Sequence, residues 1–217
     1  MTLGNVMIFG DSYSTFEGYI PDGYEIYYYT DGRSNGEVRS VGETWWHRVI
    51  TETDSKLILN DSYSGSAMCH TGYGGVDGSR HSSFVTRLQR YRDSGFFAEN
   101  ELDTVFIFGG TNDTGAESPL GEPQYDSFTD DDLKCVRPAI SYLASEIKRL
   151  APKAKVYFLA NDEYLKPEIR EEFVAAARHF GCDAILFDGI EKAGGHPTTN
   201  GMAEIARQVI EYISARI

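Results

Sequence analysis

The chain has 217 residues, of which 41% are hydrophobic and 24% charged, and a formal net charge of −13. This is the size and make-up of one α/β domain spanning residues 1–217. An acidic surface repels nucleic acid and anionic membrane, so neither is an expected partner, and no apolar run reaches the roughly 18 residues of a membrane span.

The first element follows almost at once: Val6–Phe9 is a short apolar run typical of a buried strand. With no leader-like segment ahead of it, the expectation is a cytoplasmic chain, or a secreted one only if a leader has been removed. A long loop, Asp11 to Gly42, carries Tyr13, Phe16, Tyr19, Tyr24, Tyr27, Tyr28 and Tyr29. A helix is expected over Thr44–Ile50, with Trp45, Trp46, Val49 and Ile50 on one side, then a strand over Lys56–Asn60. A helix over Ser83–Tyr91 repeats Phe84, Leu88 and Tyr91, and a strand covers Thr104–Phe108. A second long loop runs from Gly109 to about Asp130. The pattern Leu133–Leu150 predicts a helix, with Pro138 requiring a kink or a late start. A strand at Lys155–Ala160 precedes a helix that Pro167 opens and Gly181 closes. The last strand is Ala184–Phe187, and Met202, Ile205, Val209 and Ile213 mark a final helix. Strands alternating with helices imply a parallel sheet covered on both faces, with a site at the carboxyl ends of its strands.

Four short blocks lie at or beside that edge: Gly10-Asp11-Ser12-Tyr13-Ser14, Asn60-Asp61-Ser62-Tyr63-Ser64-Gly65-Ser66, Gly109-Gly110-Thr111-Asn112-Asp113 and Gly194-Gly195-His196-Pro197. Acyl transfer needs a hydroxyl, a base and donors aimed at an oxyanion. Ser12 supplies the hydroxyl and His196 the base. The backbone N–H groups of Ser12 and Gly65 and the amide of Asn112 supply three donors. This order of pieces, from Gly10 to Gly201, resembles the SGNH hydrolase family, the GDSL esterases and lipases, whose blocks carry Ser, Gly, Asn and His in that order. The resemblance implies a flavodoxin-like, three-layer α/β/α fold with a five-stranded parallel sheet. It also implies serine-dependent ester hydrolysis through an acyl-enzyme, with neither metal nor cofactor.

One position departs from the pattern. The family usually has an Asp three residues before the His, and here Ala193 stands there. Glu191, Asp188 or a main-chain carbonyl is then expected within about 3.2 Å of His196 Nδ1, because the base must hold one tautomer.

Blander roles exist for the same residues. Ser12 is also a plausible helix cap, Asn112 a turn residue and His196 a cap ahead of Pro197. The loop aromatics serve either as a satellite core or as walls and sugar-stacking faces of a site. His47, His70, His81 and His179 read as structural or surface residues. Cys69, Cys135 and Cys182 form no CxxC pair and read as small apolar residues. HExxH does not occur. The leading expectation is a carbohydrate esterase for short, acetyl-type acyl groups, acting on a small-molecule or carbohydrate ester. A lipase or thioesterase is the alternative enzyme. A flavodoxin-like binder, holding phosphate on Ser12, Ser14 and Thr15, and a decayed hydrolase are the alternatives outside catalysis.

Overall fold

The structure is a computed structural model and describes residues 1–33, 36–75, 78, 81–161 and 163–216. Five parallel strands form its sheet: β1 (Asn5–Gly10), β2 (Lys56–Ser62), β3 (Thr104–Phe108), β4 (Lys155–Asn161) and β5 (Asp183–Phe187). Their spatial order is β2-β1-β3-β4-β5, the flavodoxin-like arrangement. The chain moves from β1 to β2 on one side and later returns to place β3 on the other. The resulting topological switch point opens a crevice between the β1 and β3 loops, where such sheets bind ligands.

Each strand feeds two cores, because successive side chains leave a strand on opposite faces. Met7, Phe9, Val105, Ile107, Val156 and Phe158 pack against α2 (Phe84–Asp93), α5 (Val136–Leu150) and α6 (Pro167–Phe180). Val6, Ile8, Phe106, Phe108, Tyr157 and Leu159 pack against α1 (Trp45–Glu52) and α7 (Thr199–Ser214). The result is the expected three-layer α/β/α arrangement.

The helix boundaries follow local chemistry. Thr44, Ser83 and Thr198 cap α1, α2 and α7 by accepting from the N–H groups of His47, Thr86 and Gly201. Pro138 sits in the first turn of α5, where its missing N–H leaves no intrahelical bond unmade. The late start predicted for this helix is therefore realised. The N–H groups of Val136 and Arg137 donate instead to the carbonyls of Pro119 and Leu120, at 2.9 Å each, which ties the second long loop to the helix. Gly181 closes α6 in the left-handed region at φ +65°.

Short elements escaped the sequence reading because they hold too few residues to show a period. They are α3 (Phe96–Glu99), α4 (Thr111–Gly115) and a two-stranded ribbon of β6 (Lys192–Ala193) and β7 (His196–Pro197). Among the described residues, no helix is long and apolar enough to cross a membrane.

Candidate active site

Ser12 stands just beyond β1, in a single 3-10 turn, Ser12–Ser14. Asp11 caps this turn, its Oδ1 accepting from Tyr13 N at 2.9 Å. The capping role considered for Ser12 thus falls to its neighbour, and the serine hydroxyl is left for other work. That hydroxyl lies 2.9 Å from Nε2 of His196, 184 residues away in the chain.

The histidine is placed by the β6–β7 ribbon. Gly194 and Gly195 form its two-residue turn, with φ of +59° and +82°. Two consecutive positive φ angles are what a tight hairpin requires, and glycine meets that demand without strain. The ribbon pairs Ala193 directly with His196. It is held from the first long loop. Tyr13 donates its hydroxyl to the Gly195 carbonyl at 2.6 Å, and Tyr28 donates to the Pro197 carbonyl at 2.9 Å. Because Tyr13 follows Ser12 directly, the serine's own neighbour anchors the ribbon that carries His196.

The imidazole is half-buried, and burial lowers its pKa below the ordinary histidine value. It therefore rests as the neutral imidazole near pH 7. Nδ1 faces the Gly194 carbonyl at 3.4 Å, slightly beyond the expected reach. Of the three groups offered as its partner, the main-chain carbonyl is the one in place. The Glu191 carboxylate accepts from Thr198 Oγ1 at 2.5 Å, at the head of α7. Asp188 is exposed, and its main chain pairs with the Gln208 side chain. Neither carboxylate is hydrogen-bonded to His196, because the ribbon turn puts a carbonyl where an acid was sought.

The donor side of the site is built differently. Asn112 follows β3 in α4 and is 8% exposed. Its Nδ2 donates to the Ser66 carbonyl at 3.0 Å and, at a longer 3.5 Å, to Asp11 Oδ2. Among the described residues, the backbone N–H groups of Ser12 and Gly65 have no protein acceptor. Gly65 adopts φ +80° in the turn after β2. Asp113, fully buried, accepts from Met68 N at 2.9 Å and from Cys69 N at 3.3 Å, and so fixes the loop that carries Gly65 and Ser66. Burial pushes the Asp11 carboxyl up to about 7 and raises that of Asp113 as well.

Arg87 is the main structural residue of the site that the sequence reading missed. It is fully buried and pairs with Asp61 at 2.5 Å, while its Nη2 donates to the Gly10 carbonyl at 3.0 Å and to Ser66 Oγ at 3.1 Å. One guanidinium thus ties together the ends of β1 and β2 and the donor loop. The signal was present: Arg87 lies beside Leu88 on the face of α2 that also carries Phe84 and Tyr91. A cation there must find buried partners.

Other expectations divide. Ser14 Oγ accepts from Trp45 Nε1 at 3.1 Å, and Thr15 Oγ1 donates to the Ser12 carbonyl and accepts from Tyr27 N. These hydroxyls are engaged inside the fold, which weakens a phosphate-binding reading. Of the first-loop aromatics, Tyr13, Phe16 and Tyr28 are buried in the core around α1 and α7. The exposed rings beside the site come from elsewhere. Tyr73 and Tyr164 are each 51% exposed. The Tyr73 hydroxyl donates to Asn112 Oδ1 at 3.3 Å, and that of Tyr164 approaches Gly195. A cavity of about 200 Å³ opens beside Gly65, lined by Ala67, Cys69, Tyr73 and Ser83 among others. A wider groove of about 630 Å³ lies along α6, between Tyr125 and Leu186, and includes none of these site residues. Among the described residues, no group of three or more His, Cys, Asp or Glu side chains is set to hold a metal ion.

Known proteins place this arrangement in a family. No curated protein matches the chain. A solved structure from Bacteroides ovatus, named as a GDSL-like lipase, is 40% identical, with a TM-score of 0.90, over 99% of this chain and 100% of its own. A second, from Bacteroides uniformis and named likewise, is 40% identical, with a TM-score of 0.88, over 98% of this chain and 96% of its own. A family two carbohydrate esterase from Clostridium thermocellum, solved with cellohexaose, shares the fold at 15% identity and a TM-score of 0.64, over 98% of this chain and 64% of its own. The model of the GDSL-like lipase/acylhydrolase family matches residues 4–213. The chain belongs to the GDSL-like lipase/acylhydrolase family.

Proposed function

We propose that this hydrolase removes short, acetyl-type acyl groups from carbohydrate esters, with Ser12 as nucleophile and His196 as general base. The observation that carries the reading is the 2.9 Å contact between Ser12 Oγ and His196 Nε2, made to an imidazole that burial keeps neutral. In the first step Nε2 takes the hydroxyl proton as Oγ attacks the ester carbonyl. The carbonyl oxygen gains negative charge and is met by the N–H groups of Ser12 and Gly65 and by Asn112 Nδ2. The amide proton that faces Asp11 at 3.5 Å makes the longer bond, so an oxyanion competes for it best. Collapse expels the alcohol, which takes its proton from His196 and leaves an acyl-enzyme. Water then repeats the sequence and frees the acid.

The cavity of about 200 Å³ beside Gly65 supports a short acyl group over a long one. The exposed rings of Tyr73 and Tyr164 support a sugar as the alcohol, since aromatic faces stack on pyranose rings. The cellohexaose-bound neighbour contributes its fold alone to this reading. Hydrolysis of p-nitrophenyl acetate and of acetylated xylan, measured in EDTA, tests the proposal. Ser12→Ala is expected to lose about 10⁴-fold or more in kcat while keeping its melting temperature. A folded variant with wild-type turnover, or dependence on a chelated metal, would overturn it.

A further inference from the structure

The base in this site works without a carboxylate, yet a charge must appear on it. When His196 takes the Ser12 proton it becomes an imidazolium, and in a triad the acid stabilises that cation. Here one face of the ring is covered by Tyr27. The two rings are stacked, with centroids 3.5 Å apart and planes 8° from parallel. Tyr13 meets the same imidazole edge-on at 5.4 Å. The face of an aromatic ring is negative, and a cation within about 6 Å of its centroid is attracted, most strongly where water is excluded.

Tyr27 is held for this position. Its backbone N–H donates to Thr15 Oγ1 at 2.9 Å, and its ring packs against Tyr28 at 4.9 Å. Burial raises its phenol pKa, so the ring stays neutral across the working range of an esterase. Gly36 lies so close to the Tyr27 and Tyr28 rings that a side chain there would press on both. The imidazole is thus enclosed by a carbonyl at Nδ1, a hydroxyl at Nε2 and an aromatic face.

We infer that Tyr27 is a positioning residue that takes over the missing acid's task, its π-face stabilising the His196 imidazolium formed during acyl transfer. This rests on the serine-histidine reading above, and the two are separable by experiment. The Gly194 carbonyl fixes the tautomer, and Tyr27 supplies the electrostatic share. The stack makes no use of the phenol hydroxyl, so Tyr27→Phe preserves the effect.

The test keeps the shape of the ring and drains its negative face. Phenylalanine bearing one, two and three ring fluorines is installed at position 27, and kcat for p-nitrophenyl acetate is compared with that of Tyr27→Phe. The expected result is a stepwise fall of about 10-fold across the series, at constant melting temperature, with a larger loss in Tyr27→Leu. A purely steric role predicts equal turnover along the series, and that outcome would overturn the inference. Each variant is also taken to end-point labelling with a fluorophosphonate. Full labelling at Ser12 with equal turnover removes the role of Tyr27 alone. No labelling of Ser12 in the wild type removes the serine reading, and this inference with it.

Discussion

The two halves of the site are built from opposite materials. Around Ser12, Gly65 and Asn112 the scaffold is deeply buried and rests on acidic and basic side chains: the Arg87–Asp61 ion pair, Asp113 beneath the donor loop, and Asp11 beneath Asn112. Against the His196 ring the contacts are neutral, made by Tyr13, Tyr27, Tyr28 and the Gly194 carbonyl. In the proposed mechanism, the half that receives an anion is held by buried, multiply bonded side chains, and the half that becomes a cation is held by rings and a ribbon. Fixed donors serve an oxyanion only if they do not move, which buried, multiply bonded groups ensure. A base, in contrast, must change charge in every cycle, and a polarisable surround accepts both states.

The largest effect that distinguishes the halves is on stability. Arg87→Met leaves the Asp61 carboxylate buried without its cation, and ~3–5 kcal/mol of folding free energy is expected to be lost. Tyr27→Phe is expected to leave stability unchanged. Urea denaturation of both measures the contrast, and a marginal cost for Arg87→Met would show that the ionic half is not what holds the loops together.

Next in size is the effect at Asn112, the proposed oxyanion donor. Asn112→Ala is expected to lower kcat by about 10²–10³, with KM little changed. A change confined to KM would move Asn112 from transition-state stabilisation to substrate placement.

A smaller effect concerns pH. In the proposed mechanism His196 acts when neutral, so kcat/KM is expected to rise as pH passes upward through its pKa. Burial lowers that pKa, which places the midpoint of the acid limb below about 6.5. Ala193 faces His196 across the ribbon, and paired residues leave a ribbon on the same face. Ala193→Asp therefore brings a carboxylate beside the imidazole and is expected to raise the midpoint by about one unit. An unmoved limb would mean that the ribbon keeps the two side chains apart.

The fold was largely legible in the sequence. The five apolar runs, the capping residues and the glycine after α6 each act within a few residues of where they stand, so their signals are local. Ser12, His196, Gly65 and Asn112 were legible as candidates because each block follows a strand end or adjoins the same edge. What replaced the acid was not legible. Glu191 and Asp188 were attractive because they are near His196 in sequence. The Gly194-Gly195 turn folds the chain back within two residues, so nearness along the chain says little about which atom meets Nδ1. The Tyr27 stack was hidden for another reason: it joins positions 169 residues apart, and among so many loop aromatics nothing local singles it out.

The central claim is that His196 works without a carboxylate partner, and the double variant Glu191→Gln/Asp188→Asn tests it most directly. Its kcat on p-nitrophenyl acetate is predicted to lie within about threefold of wild type, because neither carboxylate is hydrogen-bonded to the imidazole. A fall approaching the ~10⁴-fold loss seen when the acid of a triad is removed would contradict it.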